Sequence, residues 1–311
     1  MNGRSDPTVK RVDAESLSVV VDGYSFLEGP RWRQGALYVS DFYTRQVVRI
    51  ADGVAETICE VPGQPSGLGW DPDGNLLVVS MLDRSLCRLT GNRLDVVADL
   101  REIATGPCND MQVDAQGRAY LGNFGGDGEA DSLLRDAVLA RVDTDGSVTV
   151  VADGLRFPNG VALTGDGRRL LVAETYGARI TVFDIASDGS LSGRRVWADF
   201  SRGVLAPTAR GMAATGAILP DGIALDAEGA LWVADAAGAG AFRVREGGEI
   251  VEHVDSGELT VFALAMGGAD GRTLFLCASP TLFETDYRID HRSKVLSCRV
   301  EVPSAESASG H

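Results

Sequence analysis

Short strand-like runs, separated by polar turn residues, follow one another along almost the whole chain. The first four runs cover residues 30–33, 36–40, 46–50 and 55–59. Gln34-Gly35 and Asp52-Gly53, which separate two pairs of these runs, are typical turns of antiparallel hairpins. No segment shows a sustained helical period with capping residues at both ends. The pattern therefore predicts an all-β protein.

One pattern recurs six times, as a strand, a Gly-bearing turn and a second strand. The residues that open the six copies are Glu28, Ser66, Asn109, Asn159, Asp221 and Phe262. These opening residues are spaced by about 40 to 60 residues, as in propeller blades and further apart than in most solenoid repeats. Because each interval holds four strand-like runs, we predict a six-bladed β-propeller with four-stranded antiparallel blades.

The N-terminal part of the chain is predicted to close the ring. The last unit ends with one strand, at 294–302, and is one strand short. Residues 17–21, followed by Asp22-Gly23, resemble the fourth strands of other units. Joining them to the last blade removes an exposed sheet edge. The predicted organisation is a polar tail at 1–15, a single propeller domain at 16–302 and a polar tail at 303–311.

Two insertions interrupt the repeat, at 125–136 and at 201–219. Both flank loops on the face where the opening residues are expected. They are candidates for the rim or lid of a binding site, and surface padding is an equally good interpretation.

The charge of the chain bears on its partners. The formal net charge is −15, with only 29 Lys and Arg residues, which argues against nucleic acid or an anionic membrane as a partner. The first residues lack the apolar core of a signal peptide, and no apolar run approaches the length of a membrane span. We therefore expect a cytoplasmic protein.

The five cysteines are Cys59, Cys87, Cys108, Cys277 and Cys298. Their odd number, without metal-binding spacing, favours free thiols in a reducing compartment. Cys277 and Cys298 fall in neighbouring predicted strands of the last blade, so a bridge between these two stays open at this point.

Four of the six opening residues carry carboxylate or carboxamide oxygens, namely Glu28, Asn109, Asn159 and Asp221. Equivalent positions in a closed ring converge on the central channel, and an all-oxygen set suits Ca²⁺, Mg²⁺ or Mn²⁺ better than zinc, which usually recruits His or Cys. Taken singly, Asp221 in Pro-Asp-Gly and Asn159 in Pro-Asn-Gly are equally typical of turns. The register that the four share favours a metal site.

These residues lie in motifs that give the chain a resemblance to a known family. The motifs are Leu27-Glu28-Gly29-Pro30, Asn109-Asp110, Pro158-Asn159-Gly160 and Pro220-Asp221-Gly222. They resemble those of the SMP-30/gluconolactonase/luciferin-regenerating-enzyme-like family of six-bladed propellers. The resemblance implies one divalent cation bound by Glu28, Asn159 and Asp221, with Ca²⁺ as the first candidate and Mg²⁺, Mn²⁺ or Zn²⁺ as alternatives. It also implies that Asn109 lies beside the metal and contacts substrate or metal-bound water.

One stretch departs from the pattern of the sugar lactonases in that family. Such members often read Arg-x-Asn-Asp-Gly, and their arginine contacts sugar hydroxyls. Here Pro107 stands in place of that arginine and Met111 in place of the glycine. The substitutions predict a lactone or ester with fewer hydroxyl groups than gluconolactone.

The resulting hypothesis is a metal-dependent lactonase that produces a hydroxy acid, with Asp221 taking a proton from water and Asn109 orienting the substrate. One alternative is a thiol hydrolase with Cys108 as nucleophile and His291 as base. Another is a propeller that binds a ligand or calcium without catalysis. The identity of the small-molecule substrate and the oligomeric state are not specified by the sequence.

Overall fold

The computed structural model describes residues 9–238 and 240–305, which form six β-sheets arranged in a ring. Two strands come first, β1 (Lys10–Val12) and β2 (Ser18–Tyr24). Blade 1 contains β3 (Leu27–Arg33), β4 (Ala36–Asp41), β5 (Gln46–Ala51) and β6 (Val54–Glu60). Blade 2 contains β7 (Pro65–Trp70), β8 (Leu76–Ser80), β9 (Ser85–Thr90) and β10 (Arg93–Asp99). Blade 3 contains β11 (Cys108–Val113), β12 (Ala119–Asn123), β13 (Ala137–Val142) and β14 (Val148–Leu155).

Blades 4 to 6 repeat this order. Blade 4 contains β15 (Pro158–Leu163), β16 (Arg169–Glu174), β17 (Arg179–Ile185) and β18 (Leu191–Asp199). Blade 5 contains β19 (Pro220–Leu225), β20 (Leu231–Asp235), β21 (Ala241–Val244) and β22 (Ile250–Val254). Blade 6 contains β23 (Thr260–Gly267), β24 (Thr273–Ser279) and β25 (Ser293–Arg299), and β2 is its fourth strand. The helical elements are two 3₁₀ turns (Ala14–Ser16 and Thr175–Gly177) and helix α1 (Ala209–Ala213).

The ring closes through the N-terminal strand. Strand β2 pairs antiparallel with β25, and Ser18 lies opposite Ser297 while Tyr24 lies opposite Ser293. The first strands of successive blades contact one another, and β23 of the last blade contacts β3 of the first. The predicted six-bladed propeller and its closure by an N-terminal strand are both confirmed.

The segment expected as an N-terminal tail contains a further strand. Strand β1 runs parallel to β22, with Lys10 opposite Glu252, and adds a fifth strand to the outer edge of blade 5. The Lys10 ammonium lies 2.8 Å from a carboxylate oxygen of Glu301. Near the other end of the described chain, Ser304 forms a β-bridge with Asp226. The rest of the two predicted tails, residues 1–8 and 306–311, lies outside the described residues.

Every innermost strand carries a β-bulge or register irregularity next to its opening residue. Pairing shifts between Glu28 and Arg31 in β3, and the same shift follows Pro158 in β15 and Pro220 in β19. The other three innermost strands have equivalent shifts. Because a bulge re-aims the side chains beside it, the opening residues leave the normal alternation of the strand at this point.

The cysteines are all free, including the two in neighbouring strands of blade 6. Cys277 lies opposite Val295, whereas Cys298 lies opposite Leu274, so the register does not bring the two thiols face to face. Cys108 packs in an apolar cluster between blades 2 and 3. In the described part of the chain, no helix is both long and apolar enough to cross a membrane.

Candidate active site

The opening residues meet at the buried end of a cavity of about 860 Å³. Glu28, Asn109, Asn159 and Asp221 line this cavity, and each side chain is buried. The remaining two opening residues border the same group, because Phe262 lines the cavity and the Ser66 hydroxyl donates a hydrogen bond to Asn109. The structure therefore brings together every residue that the repeat register selected.

A chain of hydrogen bonds connects the carboxamides across four blades. The Ser66 hydroxyl donates to Asn109 Oδ1 over 2.9 Å, and Asn109 Nδ2 donates to Asn159 Oδ1 over 2.7 Å. Asn159 Nδ2 donates to the Thr175 hydroxyl over 3.2 Å, which in turn donates to the Pro220 carbonyl over 2.8 Å. The chain fixes both amide planes. Each carboxamide oxygen keeps a second lone pair, which is available to a cation or a substrate.

Polar side chains at the ends of the second strands position the opening residues. They accept hydrogen bonds from backbone amides two or three residues before an opening residue. The bonds run from Phe26 N to Asp41 Oδ1 (2.9 Å), from Arg156 N to Glu174 Oε2 (2.8 Å) and from Leu219 N to Asp235 Oδ1 (2.9 Å). These three buried carboxylates thus fix the backbone that leads into β3, β15 and β19.

Electrostatics disfavour two ionised carboxylates in this space without a cation. Burial and, to a smaller extent, the charge of Asp110 raise the pKa of Glu28 to about 8, against the opposing effects of the Gly29 hydrogen bond and of Arg31. Burial also raises the pKa of Asp221 well above its usual value, and the charges of Glu28 and Asp110 add to the effect against a hydrogen bond from Asn159. Arg31 is itself paired with Asp110, with Nη2 and Oδ1 2.7 Å apart.

The donor set fits a hard divalent cation. Asp221 Oδ1 is buried and has no hydrogen-bond partner within the described residues. No group of three or more His, Cys, Asp or Glu side chains in residues 9–238 and 240–305 is arranged to hold a metal, so a site here must include the carboxamide oxygens. Two carboxylates with two neutral oxygens match the preference of Ca²⁺, which takes about 6–8 oxygen ligands and so leaves positions for water or substrate.

Aromatic side chains form the walls of the cavity above these residues. One wall contains Phe26, Phe42 and Phe262, and a second wall contains Phe157 and Tyr176. The two walls meet at Phe124, which packs against both groups. Sequence reasoning missed Phe26 and Phe157. A signal was available, because each stands two residues before an opening residue, where Pro107 also lines the cavity.

The two insertions form the rim of this cavity, and they are joined to each other. Leu134 N donates a hydrogen bond to the Pro207 carbonyl over 2.8 Å, and Arg210 N donates to the Ala130 carbonyl over 2.9 Å. The Arg210 side chain lies 3.0 Å from the Asp131 carboxylate. Residues 127–132 and Arg210 border the opening.

The thiol alternative finds no support in the structure. The Cys108 side chain is fully buried, and burial raises its pKa to about 12, so the thiol is neither accessible nor ionised near neutral pH. Cys108 does not line the cavity, and His291 is exposed.

Comparison with known proteins extends these observations. A family model described as the SMP-30/gluconolactonase/LRE-like region matches residues 26–279. The pentonolactonase XacC of Haloferax volcanii is 31% identical over 269 residues, which is 80% of each chain. The 6-deoxy-6-sulfogluconolactonase of Pseudomonas putida is 26% identical over 274 residues, 85% of this chain and 87% of that enzyme.

Solved structures show the same fold. A calcium-binding protein, the regucalcin of Agrobacterium tumefaciens, superposes with a TM-score of 0.77 at 20% identity. The match covers 95% of this chain and 97% of that protein.

Proposed function

The chain belongs to the SMP-30/gluconolactonase/LRE-like family, and from that premise we propose a divalent-metal-dependent hydrolase that opens a lactone to a hydroxy acid or cleaves a related carboxylic ester. One observation carries the proposal. Glu28, Asn109, Asn159 and Asp221 converge at the buried end of a cavity, and one Asp221 oxygen lacks a protein partner within the described residues. The names of the two lactonase relatives support the same type of reaction.

The proposed metal ligands are Glu28, Asn159 and Asp221, with Ca²⁺ as the first candidate. The chemistry that a bound divalent cation supplies is polarisation of the lactone carbonyl as a Lewis acid. Both carboxylates must ionise to take part, which the burial of Glu28 and Asp221 opposes in the absence of a cation.

Asn109 and Asp221 have the proposed roles in the reaction. Asn109 orients the substrate, since its own amide plane is held by Ser66 and Asn159. Asp221 takes a proton from the attacking water as the new C–O bond forms at the carbonyl carbon. When the tetrahedral oxyanion collapses, the ring C–O bond breaks, and the proton passes to the departing alkoxide oxygen. The product is a hydroxy acid.

We also propose a cytoplasmic location. All five cysteines are free, and two of them lie in neighbouring strands of blade 6 without forming a bridge. Free thiols are typical of proteins in reducing compartments.

The test is a pH-indicator screen of lactones and aryl esters. Chelator-treated protein is reloaded singly with Ca²⁺, Mg²⁺, Mn²⁺ or Zn²⁺. We expect hydrolysis with at least one metal, loss of activity with chelator and recovery on metal addition. The Cys108→Ala variant should keep its activity. Tight cation binding by calorimetry, without hydrolysis of any substrate, would instead identify a non-catalytic calcium-binding propeller.

A further inference from the structure

We propose that the substrate carries an uncharged, apolar substituent, an alkyl chain or an aromatic ring, beside the bond that is cleaved. The inference rests on the proposed hydrolase function and defines the substrate class of the same site. Three features of the cavity carry it: two preformed aromatic walls, apolar side chains that reach the mouth and the distribution of charge around the rim.

The first aromatic wall is held together by its own packing. The ring of Phe26 lies 5.3 Å from that of Phe42 and 4.8 Å from that of Phe262, measured between centroids. Behind them, the Tyr287 ring packs edge-on against Phe26 at 4.8 Å, and its hydroxyl donates to the Pro280 carbonyl. Because these rings are buried and mutually supported, the wall is present before any ligand binds.

The second wall faces the cavity from blades 3 and 4. Phe124 and Phe157 stack with centroids 4.3 Å apart, and Phe157 lies 5.2 Å from Tyr176. Phe157 and Tyr176 are buried, while Phe124 is partly exposed. An apolar group that lies against these walls would exchange water for ring contacts.

The apolar lining continues to the mouth of the cavity. Leu82 is 53% exposed and Leu282 is 37% exposed, yet both border the cavity together with Met81 and Pro107. Its volume of about 860 Å³ lies toward the upper end of the range of ~300–1,000 Å³ for sites that hold drug-sized ligands. A single lactone ring would leave much of this apolar surface without contacts, so the cavity suits a larger apolar group.

The charges around the rim disfavour an anionic substituent. Asp127, Glu129 and Asp131 border the opening. Arg210 is the only lysine or arginine among the described residues that line the cavity, and its charge is engaged by Asp131 at 3.0 Å and by the ring of Phe283 at 5.3 Å. A polyhydroxylated substituent is disfavoured too, because hydroxyls held against aromatic walls lose their hydrogen bonds to water.

The experiment compares four types of lactone with the metal-loaded enzyme. They are an unsubstituted lactone, a series with lengthening alkyl chains, a polyhydroxylated lactone of similar size, and a lactone whose substituent ends in a carboxylate. Each buried CH₂ should raise kcat/KM about fourfold until the cavity is filled. The hydroxylated lactone should react more slowly than its alkyl counterpart of equal size, and the anionic one most slowly.

A pair of matched variants tests whether the dependence of kcat/KM on chain length arises in the cavity. Leu82→Ser and Val96→Ser change exposed apolar residues of blade 2, but only Leu82 borders the cavity. Leu82→Ser should flatten the dependence of kcat/KM on chain length, mainly through KM. Val96 lies on the outer strand β10, so Val96→Ser should leave that dependence unchanged.

The outcomes separate this inference from the function on which it rests. If neither a lactone nor an aryl ester is hydrolysed with any metal, the proposed function fails. If lactones are hydrolysed but kcat/KM does not rise with chain length, or if the hydroxylated or anionic lactone is preferred, the hydrolase function stands and the apolar substrate class is overturned.

Discussion

At the residue scale, the candidate site depends on carboxylates that are costly to bury and that a cation would stabilise. Glu28 and Asp221 are both buried carboxylates, but the proposed chemistry gives them different roles. Glu28 accepts a hydrogen bond from the Gly29 amide over 3.0 Å, whereas Asp221 keeps one buried oxygen without a partner within the described residues. The proposed role of Glu28 is to bind the metal ion and nothing more. Proton transfer is assigned to Asp221 only.

The Asp221→Asn variant should distinguish metal binding from proton transfer. Asp221→Asn keeps an oxygen of similar geometry but cannot take a proton, so turnover at saturating metal should fall by about 10²–10⁴. Glu28→Gln should act mainly by weakening metal affinity, and excess metal should partly restore its rate. Metal titrations followed by rates at saturating metal measure both effects.

A matched control for this prediction comes from the chain itself. Asp73 lies in Pro72-Asp73-Gly74, the same tripeptide as at Asp221, but it is exposed in the turn between β7 and β8. Asp73→Asn should change neither metal affinity nor turnover. Full recovery of the Asp221→Asn enzyme at high metal would make Asp221 a ligand only.

The stability of the metal-free protein should depend on pH through Glu28. Its pKa in the folded protein, about 8, is raised above the ordinary value of 4.5. The stabilising effect of the protonated form is therefore complete below about pH 4.5 and is lost as the pH rises through 8. Because a cation binds the ionised carboxylates, calcium should raise the melting temperature more at pH 8 than at pH 5.

Melting curves in calcium and in chelator, recorded between pH 5 and pH 8, measure this difference. Glu28→Gln has no titrating group at this position and should show a smaller change with pH. An equal effect of calcium at pH 5 and pH 8 in the unmodified protein would contradict the prediction.

The sequence predicted which opening residues come together, because the repeat carries that information, and their roles as ligands and in catalysis stay predictions. Glu28, Asn109, Asn159 and Asp221 occupy one repeat position, and the ring brings them together. The hydroxyl of Thr175 was not foreseen as a link between Asn159 and the Pro220 carbonyl, because it depends on a contact between two blades. Such contacts between blades leave no periodic trace in the sequence.

At the element scale, the position of the site depends on how closely the innermost strands approach one another. A Cβ atom on Gly160 would lie 2.3 Å from the Asp221 carbonyl oxygen and 2.8 Å from Ile223 N. Gly222 meets the next blade in the same way, with Ala263 Cα at 2.6 Å. The glycine after the opening residue is therefore a packing requirement in these blades, and it also sets the distance between potential ligands.

The Gly160→Ala variant should disturb the candidate metal site. The added methyl group would collide with backbone, which cannot rotate away, so β15 and β19 must separate. We expect a loss of about 1–3 kcal/mol of stability or more, together with weaker calcium binding, because Asn159 and Asp221 lie on the two separated strands. Denaturant unfolding and calcium titration by calorimetry measure the two effects.

Gly165, in the turn at the far end of the same hairpin, provides the control. Among the described residues, its added Cβ would meet only the Ala305 carbonyl oxygen, at 4.0 Å, so Gly165→Ala should be neutral or slightly stabilising. If Gly160→Ala bound calcium as tightly as the unmodified protein, close strand approach would not define the site.

The prediction of the elements was limited in one respect. The recurring pattern of a strand, a Gly-bearing turn and a second strand, with four strand-like runs in each interval, identified all six blades. Strand β1 consists of Lys10, Arg11 and Val12, and its two charged residues are exposed. It has a single apolar residue and lies outside the four-strand repeat, at the edge of a sheet, so its sequence does not reveal it.

At the scale of the whole molecule, the closed ring is what makes distant residues converge. Blade 6 takes three strands from one end of the described chain and one strand from the other. The Ser293 hydroxyl donates to the Ser25 carbonyl over 2.5 Å at this junction, next to the strand that leads to Glu28. Closure and site assembly therefore share the same segment.

Stepwise removal of the N-terminal segment should distinguish the two strands that it contributes. Deletion of residues 1–16 removes β1 and leaves six four-stranded blades, so the protein should remain folded, with a modest decrease in melting temperature. Deletion of residues 1–24 also removes β2 and exposes the full edge of β25, which invites aggregation. It also uncovers the apolar cluster to which Val20, Val21 and Tyr24 contribute. We therefore expect insoluble protein without calcium binding. Soluble, cooperatively unfolding protein from the longer deletion would show that the ring holds together without its N-terminal strand.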